Sequence, residues 1–196
     1  MVPGMKAGQF VRKFISAVEI ARNDRHRAVT HNKGIFNGMD AVVIATGNDF
    51  RAVEACGHAY ASRNGSYESL STAELSGSRF SFILEVPLAV GTVGGLTRTH
   101  PMAAAAMEIL GHPDAEGLMK MIAAAGLASH FSAIRSLVTS GIQYGHMKMH
   151  LGNILRQLNA TVEETGLVME HFEKRTISHA EVADFLQSLR DQKAKE

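Results

Sequence analysis

A chain of 196 residues, 45% hydrophobic and 20% charged, is long enough for one domain with a sizeable core and ordinary in composition for a globular protein. Its net charge of +1 gives no electrostatic footprint for nucleic acid or for a membrane surface. One cysteine, Cys56, excludes an internal disulfide, no run of eighteen apolar residues occurs, and MVPGMKAGQF does not read as a signal peptide, so a cytoplasmic protein is expected. Ten methionines and eighteen glycines beside no tryptophan indicate a core of small, adaptable side chains.

In chain order, Phe10, Val11, Phe14, Ile15, Val18 and Ile20 lie close to helical spacing and predict a helix from about Lys6 to Arg22. The polar run Asn23–Arg27 breaks it. Ala41–Thr46, AVVIAT, is a continuous apolar run rich in β-branched residues closed by Gly47-Asn48, and reads as a buried strand. Asp49 then suits the N-cap of a helix to Ser62. Tyr67–Ala73 and Arg79–Val86 read as two strands, with Gly77-Ser78 as the reversal between them.

Pro101 opens the strong helix former MAAAAMEIL, which Gly111 stops, and Asp114 opens a long helical stretch to Leu137 with a possible break at Gly126. His146–Asn159 is helical by pattern. Two capping boxes follow, Thr161 with Glu164 and Ser178 with Glu181, for helices to about Lys174 and Gln192. The whole predicts an α+β fold, with helices packed on a small mixed or antiparallel sheet and then a helical C-terminal segment. The subdivision falls near Gly145, giving residues 1–144 and 145–196.

Chemistry concentrates in three segments. HNKGIFNGMDAVVIATGNDFR, His31–Arg51, places Lys33 and Asp49 at the two ends of the expected strand, each beside glycines. A buried ammonium beside a carboxylate can polarise a carbonyl and stabilise the oxyanion that follows. On residue type alone, Lys33 is equally a solvated loop lysine and Asp49 only a helix cap, and Arg27 and Asn37 a surface charge and a turn amide. GTVGGLT, Gly91–Thr97, carries no lysine after its glycines and is neither a P-loop nor G-x-G-x-x-G. GIQYGHMKMH places His146 and His150 four apart, but without the glutamate of H-E-x-x-H or a third ligand, so no metal site is expected.

Taken together and in this order, HNKGI with ATGND, GTVGGLT and GIQYGHM resemble the hydroxymethylglutaryl-CoA reductase family, in the wording of its bacterial and archaeal second class. The resemblance covers nearly the whole chain. It implies catalytic roles for Lys33 (carbonyl polarisation), Asp49 (holding that lysine) and His146 (proton donor to the departing CoA thiolate). It assigns Arg27 and Asn37 to the hydroxymethylglutaryl group, with Ser129 and Ala133 as further substrate-binding positions, and Val93, Gly94 and Gly95 to the nicotinamide cofactor, NADH or NADPH. GLASHFSAIRSL, Gly126–Leu137, departs from the family's GLAQNFAAL, with Ser129 and His130 where glutamine and asparagine are usual. Tyr144 likewise stands where a basic or amide residue is more usual.

Such enzymes also carry an earlier segment with a catalytic glutamate and a DAMGxN-type dinucleotide motif, and neither pattern occurs in these residues. The expected activity is therefore NAD(P)H-dependent reductive deacylation of hydroxymethylglutaryl-CoA to mevalonate and CoA, or the reverse oxidation, completed by a further N-terminal part. The alternative is a noncatalytic acyl-CoA-binding or dimerising piece of that enzyme. A homodimer, possibly with a separate N-terminal chain, and no nucleic-acid or membrane partner, completes the expectation.

Overall fold

The computed structural model describes residues 5–139, 141–172, 175 and 177–193, with the side chains of 98, 142–149, 192 and 193 left out. They form two compact units, Met1–Thr139 and Ser140–Glu196. In the first, helix α1 (Ala7–Asn23) buries Phe14, Val18 and Ala21, one stripe at helical spacing. Asp24 ends α1 and starts α2 (Arg25–Ala45): its N–H bonds to the Ile20 carbonyl, and its carboxylate accepts the Arg27 N–H at 2.8 Å. The expected break is thus a single residue wide.

The strand expected at Ala41–Thr46 is instead the last turn and cap of α2. Its β-branched composition is overridden by the period of what precedes it. Ala28, His31, Asn32, Ile35, Phe36, Met39 and Val43 continue one buried helical stripe, whereas Ala41, Ile44 and Ala45 face outward, which no buried strand allows. The stop at Gly47-Asn48 is real but helical. Gly47, at φ 72°, donates to the Ile44 carbonyl and Asn48 to that of Val43, the paired bonds of a Schellman motif. Helix α3 (Phe50–Ala61) follows, with Asp49 as its N-cap.

Strands β1 (Ser71–Ser76) and β2 (Arg79–Leu84) pair antiparallel in register Ser76↔Arg79, with Gly77-Ser78 as the two-residue turn. Phe80 and Phe82 of β2 meet Phe14 of α1 edge-on at 5.3 and 5.0 Å, so the hairpin lies against α1 and joins Val18, Ala73 and Ile134 in one apolar cluster. Short α4 (Leu96–Thr99) and α5 (Pro101–Ile109) precede α6 (Ala115–Val138), whose N-cap is Asp114. Helix α6 runs through Gly126 unbroken, because that glycine is where it meets α2.

The α2–α6 contact is the core of this unit. A methyl group at Gly38 would lie 2.5 Å from the Ala125 carbonyl oxygen, and one at Gly126 would lie 2.5 Å from Met39 Cγ. The backbones approach more closely than any side chain at those positions permits. By length and a mean hydropathy of 1.3, α6 is apolar enough to cross a membrane. Its buried stripe, Leu118, Ile122, Gly126, His130 and Ile134, is the one that carries the α2 contact. The α+β expectation holds.

The second unit contains α7 (Ile142–Gln157), α8 (Val162–His171) and α9 (His179–Lys193). The first expected capping box closes reciprocally, Thr161 with Glu164, and in the second the Ser178 hydroxyl accepts the Glu181 N–H at 3.2 Å. Leu151, Ile154, Val168, Phe172, Val182 and Leu186 form its core. Arg190 donates to Glu164 at 2.8 Å and ties α9 to the start of α8.

Gly38→Ala should destabilise the first unit by about 1–3 kcal/mol, a lowering of the melting temperature by roughly 3–10 °C. The same change at Gly152, a helical glycine of α7 with open space before it, should leave stability equal or raised. Thermal unfolding followed by circular dichroism separates steric crowding from helix propensity, since both changes gain the same propensity.

Candidate functional site

Helix α2 positions the larger share of the expected residues. Lys33 and Asn37 lie one turn apart on one face, and both are exposed; Arg27 is half-buried, one turn before His31. Helix α6 brings Ser129 against Gly38 of α2, where a methyl group would meet Ser129 Cβ at 2.6 Å. Ala133 follows one turn later, also exposed. Lys33 and Asn37 are thus exposed on α2, and Ser129 and Ala133 on α6.

Asp49 does not join them within the chain. About 18 Å of helix separates Lys33 from Ala45, and Asp49 lies beyond that end. Its carboxylate accepts from the Arg51 guanidinium at 3.2 Å and from the Arg51 and Ala52 N–H groups at 3.0 and 3.4 Å. That guanidinium holds the Asp49 carboxyl below the usual carboxylate range. Lys33 has no ion pair among the described residues. The buried cation–carboxylate pair read from the sequence is thus two exposed groups, because a helix places positions 33 and 49 several turns apart.

The glycine loop lies at the Asp49 end. Gly91 donates its N–H to Asn48 Oδ1 at 2.8 Å, and the methyl position of Gly47 is 3.1 Å from Leu96 Cβ. Gly94 and Gly95 have φ of 78° and 53°, and nothing lies within 4 Å of where their Cβ atoms would stand. Val93 is 84% exposed. Bare backbone therefore faces open space, which suits close approach by a flat ring. His146 belongs to α7 by backbone, and its side chain lies outside the described residues. Among the described residues no group of three or more His, Cys, Asp or Glu is placed to hold a metal ion.

Two polar clusters escaped the sequence reading. His31 and His130 meet edge to face at 4.0 Å, and both are buried. His31 Nε2 lies 2.7 Å from Ser71 Oγ, while neither ring nitrogen of His130 has a partner. Burial above all, then the neighbouring positive groups, pushes His31 down to about 3 and His130 down to about 4. Asp40 on α2 is pushed up to about 6 by burial and by the Glu54 carboxylate of α3. The only sequence signal for either was a polar residue in phase with, or next to, an apolar stripe.

The chain matches the family model described as hydroxymethylglutaryl-coenzyme A reductase over residues 2–151. It is 44% identical over 163 residues to the 3-hydroxy-3-methylglutaryl-coenzyme A reductase of Archaeoglobus fulgidus, an alignment covering 83% of this chain and 37% of that protein. The reductase structure from Streptococcus pneumoniae superposes with a TM-score of 0.66 at 38% identity, covering 93% of this chain and 44% of the other. A second structure of the class II enzyme from that organism, bound to NADPH in open conformations, gives 0.65 at 39% identity, covering 93% and 45%. The fold is shared with these reductases over nearly the whole chain. The chain belongs to the hydroxymethylglutaryl-coenzyme A reductase family, in its second class, and spans less than half the length of these relatives.

The histidine pair generates a pH test with a definite sign. A histidine with a depressed folded pKa keeps full stability above about 6.5 and loses it as pH falls toward about 4, at roughly 1.4 kcal/mol per pH unit for each ring. Asp40, raised to about 6, acts oppositely, stabilising as pH falls from about 6 toward its unfolded value. Each ring loses about 1.9 kcal/mol between pH 7 and pH 5. The opposing gain at Asp40, largely screened by solvent, stays below about 1.3 kcal/mol, so the net loss is about 2.5–4 kcal/mol. Urea unfolding at both values should show it, and His130→Asn should reduce the difference by about 2 kcal/mol.

Proposed function

We propose that this chain supplies the carbonyl-polarising and acyl-binding side of an enzyme that reductively deacylates hydroxymethylglutaryl-CoA to mevalonate and CoA, or runs the reverse oxidation. The observation that carries this reading is the run His31–Arg51, which keeps Lys33, Asn37 and Asp49 on and just past one rigid helix, within a chain that belongs to the reductase family. In the forward direction the thioester accepts two hydrides and the C–S bond breaks. Lys33, an exposed ammonium with no carboxylate partner among the described residues, is free to donate to the oxygen that gains charge at each step. Arg27 pairs with the free carboxylate of the acyl group, and Asn37, Ser129 and Ala133 line its seat.

His146 gives a proton to the departing thiolate. A thiol near 8.5 against an imidazole near 6.5 makes that transfer downhill. NADH or NADPH supplies the hydrides when bound, and Val93, Gly94 and Gly95 are the residues whose bare backbone fits the approach of its ring. In this reading the acyl group is held by residues of the first unit, and His146 is the proton donor. A glutamate-bearing segment and a dinucleotide motif come from a part outside these residues, as a longer chain or a separate one. The setting is the cytoplasm.

The separation of Lys33 from Asp49 within one copy points to a twofold dimer, in which the Asp49 end of one chain meets the Lys33 face of the other. Met102 and Ile109, seven residues apart on α5, are 71% and 85% exposed, large apolar side chains suited to burial between copies. Light scattering at micromolar concentration should give twice the chain mass; a mass of one chain would sink the dimer.

Reconstituted with its missing part, the Lys33→Met protein should lose turnover by at least about 10²–10³-fold while keeping its fold. Asp49→Asn should also lower the rate, by leaving Lys33 without its orienting charge. NAD(P)H oxidation with hydroxymethylglutaryl-CoA measures both. Near-wild-type rates in Lys33→Met would defeat the assignment, whereas the isolated chain should be silent in every form.

A further inference from the structure

In the second unit residues 158–161 connect α7 to α8, and one side chain of α9 binds both ends of that connection. At the α7 end Asn159 takes a φ of 52° and donates its N–H to the Arg156 carbonyl, while Ala160 donates to that of Leu155. These paired bonds close the helix as a Schellman motif. The carbonyls of Leu158 and Asn159, just past them, accept from Arg190 Nη2 at 3.5 and 3.2 Å. At the α8 end Glu164 accepts the Thr161 N–H at 2.7 Å, and its two oxygens take Arg190 Nε and Nη2 at 2.8 and 3.1 Å. Glu164 is 8% exposed. The hydrogen-bonded guanidinium holds its carboxyl down at about 2, so the pair stays charged throughout the neutral range.

This joint stands at one end of a lever. His146 precedes Leu158 by twelve positions, about 18 Å along α7. The described apolar side chains that seat α7, Leu151, Ile154, Leu155 and Leu158, all belong to its last two turns and cap. A tilt of about 5° about that seat displaces the backbone at His146 by about 1.5 Å. A misplacement of about 1 Å costs on the order of 10² in rate where a group must meet its target in one geometry. Apolar burial is non-directional and sets no angle by itself. A planar guanidinium with donors in a fixed fork, bonded to both helices, does set one, and an ammonium has no such fork.

We propose that Arg190 is a positioning residue for His146: from α9 it bonds the end of α7 and the start of α8, and so fixes the axis of the helix that carries the proton donor. The role rests on the reading of His146 as donor to the departing thiolate. Arg190 acts through α7 and is given no contact with the reacting atoms. Only the thioester sheds a thiolate that needs this proton. Reduction of the free aldehyde of the same acyl group adds one hydride to carbon and one proton to oxygen, where Lys33 is the assigned donor. Loss of the Arg190 fork therefore separates the two substrates.

Arg190→Lys keeps a positive charge for Glu164 without the fork, and two measurements test it. In the full chain alone, amide hydrogen exchange over residues 150–158 should quicken by at least about tenfold, with β1 unchanged. In the enzyme completed by its missing part, kcat for hydroxymethylglutaryl-CoA should fall by at least about tenfold at a similar KM, while the aldehyde is reduced at the wild-type rate. Val182→Ala, a buried change on α9 that leaves these bonds in place, should affect the two substrates alike. Equal loss with thioester and aldehyde in Arg190→Lys would mark a merely structural role and overturn the proposal. Unchanged exchange over α7, an unchanged thioester kcat, or the same substrate split in Val182→Ala would overturn it too. Absence of thioester turnover in the wild-type assembly would instead overturn the reductase reading, and the positioning role with it, a result visible before any variant is compared.

Discussion

The first unit is organised by the contact of α2 with α6, which exists because Gly38 and Gly126 have no side chains. Each helix lays its backbone on the other: the Ala125 carbonyl at Gly38, the Ile35 carbonyl and Met39 at Gly126. Everything else packs around that seam. Phe36 of α2 fills the space before Gly57 of α3, and Ile122 and Leu118 of α6 close the core on the other side. Asn32, fully buried on the same stripe, donates to the Glu68 carbonyl and accepts from the Leu70 N–H, and so anchors the entry to the hairpin. Close packing of this sort leaves little room to deform, so side chains on the outer face of α2 are carried on a stiff support.

That stiffness sets how the candidate site is laid out. A helix of 21 residues holds Lys33 and Asn37 in its middle and delivers Asp49 and the glycine loop at its end, with the distance between them fixed by helical rise. No side-chain rotation closes it. Lys33 and Asp49 therefore do not meet within a single copy. Asp49 accordingly spends its carboxylate on Arg51 and on the first N–H groups of α3. Those are exposed interactions of small net worth and readily exchanged for another cation.

Much of this was legible in sequence where one physical rule acted alone. The caps Asp49 and Thr161, the turn Gly77-Ser78 and the stops Gly47 and Gly111 all stand where local chemistry put them. Ala41–Thr46 failed because two rules conflicted. Composition favoured a strand, while the stripe running from Ala28 to Val43 continued a helix already nucleated, and cooperativity favours continuing it. The error spread to the site, since a strand would have kept both ends of the segment against one core. The histidine pair was illegible for a different reason: His31 and His130 are ninety-nine positions apart, and only the crossing of α2 and α6 joins them.

That pair shows how a departure from the family's wording is absorbed. His130 stands where asparagine is usual, and its ring enters the space left by Gly34, whose methyl position would be 2.7 Å from His130 Nδ1. An asparagine there could reach with an amide; the imidazole fills the volume but leaves both nitrogens without partners. Burying such groups costs on the order of 1–3 kcal/mol each, and the neutral form is the one that minimises the cost. His31 packs on it edge to face and keeps its own bond to Ser71, so the hairpin, α2 and α6 meet through one neutral pair. Lys33 is two residues from His31 on the same helix, facing outward. Its support therefore rests on a pair that acid would charge, and the seam that makes the helix stiff is also where protonation would loosen it.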